Sequence, residues 1–257
     1  MAVPPLESLV AAGHDVALVV TGVDKRRGRG GETSPSAVKV AALKLGLPVS
    51  HDVDDVIGIG AELGVVVAFG RIIKPHVLAA VPMVNLHFSL LPRWRGAAPV
   101  ERALLAGDDV TGVCVMAVEE GLDTGGVYAR SEVPIGDTKT ADELRLELVE
   151  AGCRLLLATL EAGIGTPSEQ VGTPTYAAKI DPSELRIDWA QPAVSIHRLI
   201  RLGGAWTTFR GARLKIHAAD LIEGRIVPTV VQPEGKPRMA YDAWRNGARP
   251  MDDERFE

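Results

Sequence analysis

Runs of apolar residues alternate with amphipathic segments along the first two thirds of the chain. Short runs rich in β-branched residues predict strands, and apolar positions that recur every three or four residues predict helices. The strands predicted in this region are 15–21, 64–69, 83–88, 111–118 and 126–133, and the helices are 6–12, 36–45, 99–106 and 140–163. This alternation of strands and helices is typical of an open α/β sheet.

After residue 163 the pattern changes. Residues 165–180 contain several Gly, Pro, Ser and Thr residues, which indicates a linker. The elements predicted beyond it are a helix at 192–202 and strands at 205–210, 213–218 and 225–232. This set is too short for a large core of its own. We therefore expect an α/β domain over 1–165, a linker over 166–183 and a small second domain over 184–257.

Composition and charge narrow the classes of protein. The chain is 46% hydrophobic and 24% charged, as ordinary globular proteins are. Its net charge of −5 excludes a general electrostatic attraction to nucleic acid, so any such contact needs a local basic patch. Two stretches provide cations, the KRRGR sequence at 25–29 and the region 189–249. Cys114 and Cys153 form neither a metal cluster nor a disulfide framework, and the start has no export signal.

Candidate catalytic side chains lie in one strand and one loop. The period of two in a strand places Asn85, His87 and Ser89 on the same face of the run 84–89, near the end at which open α/β sheets bind ligands. Asp123 lies between two predicted strands, where Gly121 and Gly125 allow a sharp turn. Taken alone, Asp123 is also consistent with a simple Asx turn.

Residues 85–99 read NLHFSLLPRWRGAAP, and residues 121–125 read GLDTG. This pattern resembles the formyltransferases that use 10-formyltetrahydrofolate, and within that group the methionyl-tRNA formyltransferases. Residues 24–39 resemble the tRNA-facing loop of these enzymes. Residues 175–180, 187–189 and 232–239 resemble their linker and C-terminal domain. The resemblance covers nearly the whole chain.

The resemblance implies an α/β fold, with an open Rossmann-like formyltransferase domain followed by a small, reduced β-barrel-like (OB-type) C-terminal domain. It also implies 10-formyltetrahydrofolate as co-substrate, no metal and initiator methionyl-tRNA as partner. The lack of an export signal and the scarcity of Cys point to the cytoplasm, and a monomer is expected. The residues expected to bind the folate are Phe69, Gly70, Ile72, Ser89, Leu90, Leu91, Pro92 and Gly121. The residues expected to contact tRNA are Arg27, Arg29, Lys215, Lys236 and Arg238.

Formyl transfer to an amine needs an uncharged amine, a stabilised oxyanion and a route for one proton. Asn85 is expected to donate an N–H to the oxyanion. His87 is expected to donate to the same oxygen or to carry the proton. Asp123 is expected to raise the pKa of His87 by its charge and to orient a water molecule that takes the amine proton. Ser89 is expected to line the folate site or to have a structural role.

The sequence departs from the family pattern in three places. A first strand with a Phe-x-Gly-Thr-Pro loop is not found ahead of residues 2–6. Leu202-Gly203 replaces a Pro-Trp-Pro type of segment, and residues 219–224 shorten the C-terminal domain. Because unpaired buried backbone groups are costly, we expect one of two outcomes for the first strand. Either the gene product begins upstream of Met1, or the strands at 15–21 and 64–69 pair with each other directly.

Two other functions stay open at this point. One is an N-formyltransferase that acts on a nucleotide-linked amino sugar with the same three catalytic residues. The basic loop at 25–29 and the segment 232–239 argue against it. The other is a catalytically inactive paralogue, against which the presence of Asn85, His87 and Asp123 argues.

Overall fold

The computed structural model describes residues 1–26, 33–251 and 253–257. Its α-helices are α1 (Val3–Ala11), α2 (Ala37–Lys44), α3 (Pro75–Ala80), α4 (Pro99–Ala106), α5 (Ala141–Glu161), α6 (Ala193–Leu202) and α7 (Tyr241–Ala248). Its strands are β1 (Val19–Val20), β2 (Lys25–Arg26), β3 (Thr33–Ser34), β4 (Val49–Ser50), β5 (Gly64–Val66), β6 (Met83–His87), β7 (Arg95–Gly96), β8 (Val110–Ala117), β9 (Val127–Pro134), β10 (Tyr176–Ala177), β11 (Trp206–Phe209), β12 (Ala212–Ile222), β13 (Arg225–Pro233) and β14 (Met239–Ala240). Short 3₁₀ turns lie at Asp54–Val56 and Pro182–Leu185.

Two compact units divide the chain. The first comprises Met1–Pro99, Val110–Pro134 and Arg145–Ala177, and the second comprises Val100–Asp109, Ile135–Leu144 and Ala178–Glu257. The units therefore interleave along the sequence. The domain boundaries expected at 165 and 183 stay a prediction.

The first unit is organised around a four-stranded sheet in the order β5-β6-β8-β9. Strand β5 is parallel to β6, whereas β8 and β9 follow in antiparallel pairings. The apolar side chains of β6 are almost completely buried, with Val84 and Leu86 each 1% exposed. Helix α5 approaches β6 so closely that a Cβ on Gly152 would lie 2.9 Å from Leu86. This packing fixes the strand that carries Asn85 and His87.

The start of α5 is a capping box, the arrangement favoured by the sequence TADE at residues 140–143. The backbone N–H and the hydroxyl of Thr140 both donate to the Glu143 carboxylate, at 2.8 and 2.7 Å. The Glu143 backbone N–H donates in return to the Thr140 hydroxyl at 3.3 Å. Two backbone donors at the helix start are thereby satisfied.

Strands β1 and β5 do not pair with each other in the part of the chain that the structure describes. There β1 pairs with β4 and β5 with β6, each on one edge. The direct pairing of 15–21 with 64–69 is therefore not what the structure shows. A cavity of about 980 Å³ borders both strands, with Leu6 of α1 and Leu160 of α5 among its apolar lining. The sequence predicts a strand of seven residues at 15–21, but β1 has only two. It is shorter because β1 is hydrogen-bonded to another strand on one edge alone.

The second unit contains an antiparallel sheet in the order β11-β12-β13-β14. Its core consists of apolar residues from this sheet, from α6, from α7 and from the segments next to them, all at most 9% exposed: Ile187, Ile196, Ile200, Ala205, Phe209, Leu214, Ile216, Val231 and Trp244. The helix and three strands predicted for this region are confirmed. The sequence analysis missed α3, α7, β14 and the short strands β2, β3, β4, β7 and β10, and β10 lies inside the predicted linker. No helix in the described ranges combines the length and the apolarity needed to cross a membrane.

Candidate active site

His87 and Asp123 lie together in the first unit, although 36 positions separate them in sequence. The Nδ1 atom of His87 is 3.6 Å from Oδ2 of Asp123. His87 ends β6, and Asp123 lies in the loop between β8 and β9. The antiparallel pairing of β6 with β8 and of β8 with β9 brings the two side chains to one place. The sequence analysis predicted this pairing of residues.

The His87 ring is anchored on one side and faces Asp123 on the other. Its Nε2 atom donates a hydrogen bond to the backbone carbonyl of Trp94 at 2.9 Å. Because a carbonyl can only accept, Nε2 carries a proton and Nδ1 is the atom that gains or loses one. His87 is only 5% exposed.

Two opposing effects set the pKa of His87. Burial lowers the pKa of His87, and the negative charge of Asp123 and the hydrogen bond to Trp94 oppose that effect without reversing it. Asp123 therefore acts in the expected direction, but the desolvation of a nearly buried imidazole is the larger cause. Burial therefore favours the neutral form of His87.

A left-handed backbone conformation presents the Asp123 carboxylate. Asp123 has φ +51°, a region that Asp tolerates better than most residues. Its Oδ2 atom accepts a 2.7 Å hydrogen bond from the backbone N–H of Gly96. The turn residue is thus Asp123 itself, and Gly125 has a different purpose from the one expected. A Cβ on Gly125 would lie 2.1 Å from the Ala117 carbonyl oxygen, so glycine is needed there for close packing.

Asn85 occupies the middle of β6, one alternation before His87. It is half-buried, whereas its neighbours Val84 and Leu86 face the core. No side-chain hydrogen bond of Asn85 is recorded among the described residues. An amide in this position can offer two N–H donors to a ligand.

The residues expected to bind folate fall into three loops. Phe69, Gly70 and Ile72 follow β5, and Ile72 is 87% exposed. The Arg71 guanidinium lies 4.6 Å from the centre of the Phe69 ring. Gly121 is exposed in the loop that carries Asp123. Phe69 and Ile72 present apolar side chains in these loops. The folate contacts expected of these residues stay a prediction.

The remaining expected folate residues follow His87 directly and are more enclosed. The Ser89 hydroxyl is buried and donates to the Arg93 carbonyl at 2.6 Å, which fits the structural alternative for this residue. Leu91 is 1% exposed and packs with Cys114, Met116 and Val127. Leu90 and Pro92 are half-buried, and Leu90 lies against Gly112.

The residues expected to contact tRNA lie in two separate parts of the sequence. Arg27 and Arg29 lie outside the described residues. Lys215 is on β12, and Lys236 and Arg238 are exposed between β13 and β14. The positive charges of Arg238 and Lys215 both help to lower the pKa of His217, after burial as the main cause. Lys215 and Arg238 therefore both lie near His217.

The sequence analysis missed Gln170, which contacts the loop that carries Asp123, and Arg95, which donates to the Gln170 side chain. Gln170 donates from Nε2 to the carbonyls of Asp123 and Gly125, each at 2.8 Å. Gln170 lies in the predicted linker, where neither its type nor its spacing distinguishes it. In the described part of the chain, no group of three or more His, Cys, Asp or Glu side chains is arranged to hold a metal ion.

Comparison with known protein families identifies the fold and its chemistry. The family model described as "Formyl transferase" matches residues 6–160, and the model described as "Formyl transferase, C-terminal domain" matches residues 179–226. The chain belongs to the formyltransferase family. Formyltransferases of this family use 10-formyltetrahydrofolate as the formyl donor. The family and the fold class expected from the sequence are thereby confirmed.

Individual relatives agree with this assignment. A methionyl-tRNA formyltransferase of Ruegeria pomeroyi is 45% identical over 243 residues, which cover 88% of this chain and 80% of that protein. The solved methionyl-tRNA formyltransferase of Clostridium thermocellum superimposes with a TM-score of 0.60 at 17% identity, over 85% of this chain and 99% of that one. WlaRD, a sugar 3N-formyltransferase, superimposes with a TM-score of 0.66, also at 17% identity, over 92% of this chain and 95% of that one. At such low identity the two structures support the fold alone.

Proposed function

We propose that the protein transfers the formyl group of 10-formyltetrahydrofolate to the amino group of initiator methionyl-tRNA. The observation that carries the chemistry is the 3.6 Å approach of His87 Nδ1 to the Asp123 carboxylate, beside a half-buried Asn85. The 45% identity to a methionyl-tRNA formyltransferase over most of the chain supports the choice of acceptor.

His87 and Asp123 together form a proton acceptor. A neutral imidazole with its proton on Nε2 has a free lone pair on Nδ1, and Asp123 adds a negative charge beside it. The incoming amine forms a bond to the formyl carbon, the bond from that carbon to the folate nitrogen breaks, and one proton passes from the amine to the leaving nitrogen. We assign the holding of that proton to His87 Nδ1, with the Asp123 charge stabilising the imidazolium.

Asn85 has a different role in the same step. The formyl oxygen gains negative charge while the amine attacks. A fixed amide donor directed at such an oxygen lowers the barrier by about 3 kcal/mol. The position of Asn85 on a strand packed against α5 keeps its backbone from moving, which is what a preorganised donor needs.

One face of the second unit supports the tRNA partner. Leu214 and Ile216 of β12 are buried, so the alternate side chains Arg213, Lys215 and His217 point to the opposite face. Lys215 pairs in register with Trp206 of β11 and with Gln232 of β13. This row therefore combines cationic, aromatic and amide groups.

Two arginines stack on the aromatic member of that row. The guanidinium carbon of Arg213 is 4.1 Å from the centre of the Trp206 ring, and that of Arg186 is 5.7 Å away. Stacked guanidinium groups keep their N–H donors in a plane suited to phosphate oxygens. We infer that this face, together with Lys236 and Arg238, contacts the tRNA backbone.

A direct assay tests the proposal. Purified protein is incubated with 10-formyltetrahydrofolate and either charged initiator tRNA or nucleotide-linked amino sugars, and the formylated products are quantified. We expect formyl-methionyl-tRNA and no formylated sugar. Formylation of the sugar alone would favour the amino-sugar enzyme, and no product with any acceptor would favour the inactive paralogue. We also propose a cytoplasmic monomer, which cell fractionation and size-exclusion chromatography check.

A further inference from the structure

Part of the segment that the sequence predicts as a linker is hydrogen-bonded to strands β9 and β7 of the first unit. Ser168 exchanges two backbone hydrogen bonds with Val127, at 2.8 and 2.9 Å. A few residues later, β10 pairs in parallel with β7. Gln170 lies between these two attachments. Its backbone is therefore fixed on both sides.

The Gln170 amide is fully used within this arrangement. Its two N–H groups donate to the carbonyls of Asp123 and Gly125, each at 2.8 Å. Its oxygen accepts from Nε and Nη2 of Arg95, at 3.1 and 2.7 Å. An amide has two donors and two acceptor sites, so all of its hydrogen-bonding capacity is satisfied.

Arg95 links the Gln170 amide to the Asp123 carboxylate through its neighbour in sequence, Gly96. The next residue, Gly96, donates its backbone N–H to Asp123 Oδ2 at 2.7 Å. Gly96 has φ +117°, and a Cβ there would lie 3.0 Å from the Ala177 carbonyl oxygen of β10. Asp123 is thus held at its backbone by Gln170 and at its side chain by Gly96.

We propose that Gln170, anchored by Arg95, is a positioning residue that holds Asp123 in its left-handed conformation and so fixes the Asp123 carboxylate beside His87 Nδ1. The proposal rests on the proposed function, because it assigns Gln170 a role through Asp123. A left-handed conformation of a non-glycine residue persists only where its surroundings hold it. The two hydrogen bonds from one side chain to the carbonyls on either side of Thr124 supply that restraint.

The test compares Gln170→Leu and Arg95→Lys with the wild-type protein. Leucine matches glutamine roughly in size and removes all four hydrogen bonds. Lysine keeps the charge of Arg95 and loses the two-pronged contact to the Gln170 oxygen, so it loosens the anchor and leaves the loop contacts in place. Gln191→Leu is the matched control, since Gln191 is exposed and bonds to Asp188 in the second unit.

Two readouts are measured for each variant. The first is the formylation rate against pH, with kcat and KM determined separately. We expect Gln170→Leu to lower kcat roughly 10- to 100-fold with KM for tRNA unchanged, and to move the acidic limb of the profile to lower pH. Arg95→Lys should do the same to a smaller extent, and Gln191→Leu should do neither. In an Asp123→Asn background, Gln170→Leu should have little further effect, since residues acting as a unit are not additive.

The second readout does not need activity. The titration of the His87 imidazole is followed by NMR and assigned by its loss in His87→Gln. We expect Gln170→Leu to lower the pKa of His87, because the Asp123 charge moves away. A wild-type titration in both Gln170→Leu and Arg95→Lys, or additive losses with Asp123→Asn, would overturn the proposal. A failure of the proposed function looks different: Asp123→Asn would then leave formylation unchanged, or the wild-type protein would produce no formylated tRNA.

Discussion

Replacing Asp123 with Asn removes the charge of the site and almost nothing else. Asn tolerates the left-handed conformation as Asp does, and its side-chain oxygen can still accept the 2.7 Å hydrogen bond from Gly96. We therefore expect the free energy of unfolding to fall by no more than about 1 kcal/mol, the net value of one hydrogen bond. Asp123→Ala is a poorer test, because it leaves that N–H unpaired and places alanine at φ +51°.

The expected effect on catalysis is much larger than the effect on stability. A positioned acid–base group contributes about 10²- to 10⁴-fold to rate, which corresponds to about 3–5 kcal/mol of barrier. We expect kcat of Asp123→Asn to fall within that range. Asp123 is also the main influence that opposes the desolvation of His87. Its loss should therefore lower the pKa of His87 further and move the acidic limb of the kcat/KM profile to lower pH.

The assay is formylation of charged initiator tRNA across pH, with thermal unfolding measured on the same samples. Asp123→Ala serves as the comparison for stability. A near wild-type kcat in Asp123→Asn would remove the carboxylate charge from the mechanism. An acidic limb that stays in place, or moves to higher pH, would show that the Asp123 charge does not act on His87 as we argue.

Four other expectations follow from the structure. We expect Asn85→Ala and the isosteric Asn85→Asp each to lower kcat about 10²- to 10³-fold, as loss of an oxyanion donor does, with unchanged melting temperatures. Equal rates for the wild type and Asn85→Asp would exclude the role of Asn85 as a donor. Lys215→Ala should raise KM for tRNA, leave folate binding unchanged and reduce the salt dependence of tRNA binding by about one counterion, whereas Lys44→Ala on α2 should change none of these. Burial lowers the pKa of His87, His197 and His217, so the native state binds fewer protons than the unfolded chain. The free energy of unfolding should therefore be at its full value above about pH 6.5 and should decline as pH falls through the lowered pKa values. A melting temperature that stays constant over that pH range would contradict this expectation. An apolar strand-forming segment fused ahead of Met1 should pair with the free edges of β1 and β5 and raise the melting temperature, and the same segment with a central proline should not.

The fold was predictable where local pattern and packing agree. The period-two pattern of β6, the long apolar repeat of α5 and its capping box each specify one structure, and the structure has them at nearly the predicted bounds. Strand β1 differs, because the length of a strand depends on partners at its edges and not on its residues alone. The sequence of 15–21 favours a strand of seven residues, and pairing on one edge leaves two. Short strands such as β7 and β10 exist only through their mutual pairing, which no local pattern encodes.

In the site, too, some features were predictable from the residue types, and others depend on the packing around those residues. Strand alternation places Asn85 and His87 on one face near a sheet end, whereas Asp123 was expected beside them only through the resemblance to the formyltransferases. Gln170 and Arg95 were not predictable, since a single Gln in a polar segment has no periodicity that marks it. The pKa of His87 was expected to be raised, because the sequence shows the nearby carboxylate and not the depth of burial. Only the packing around the ring decides which of these opposing effects is larger.

Because burial outweighs the charge of Asp123, the pKa of His87 is lowered, and this determines which chemistry the site favours. With Nε2 committed to the Trp94 carbonyl and the ring neutral, the Nδ1 lone pair and the Asp123 carboxylate are two acceptors that face each other at 3.6 Å. Two acceptors do not stabilise each other, so the arrangement is favourable once a proton lies on Nδ1 or an N–H group approaches both. An incoming amine that must lose a proton supplies such a group. In the mechanism that we propose, the site therefore begins as a base, and its charged, stabilised state forms only when the acceptor amine has given up its proton. A protonated His87 at the outset would instead repel the cationic form of that amine and would have no capacity left to take its proton.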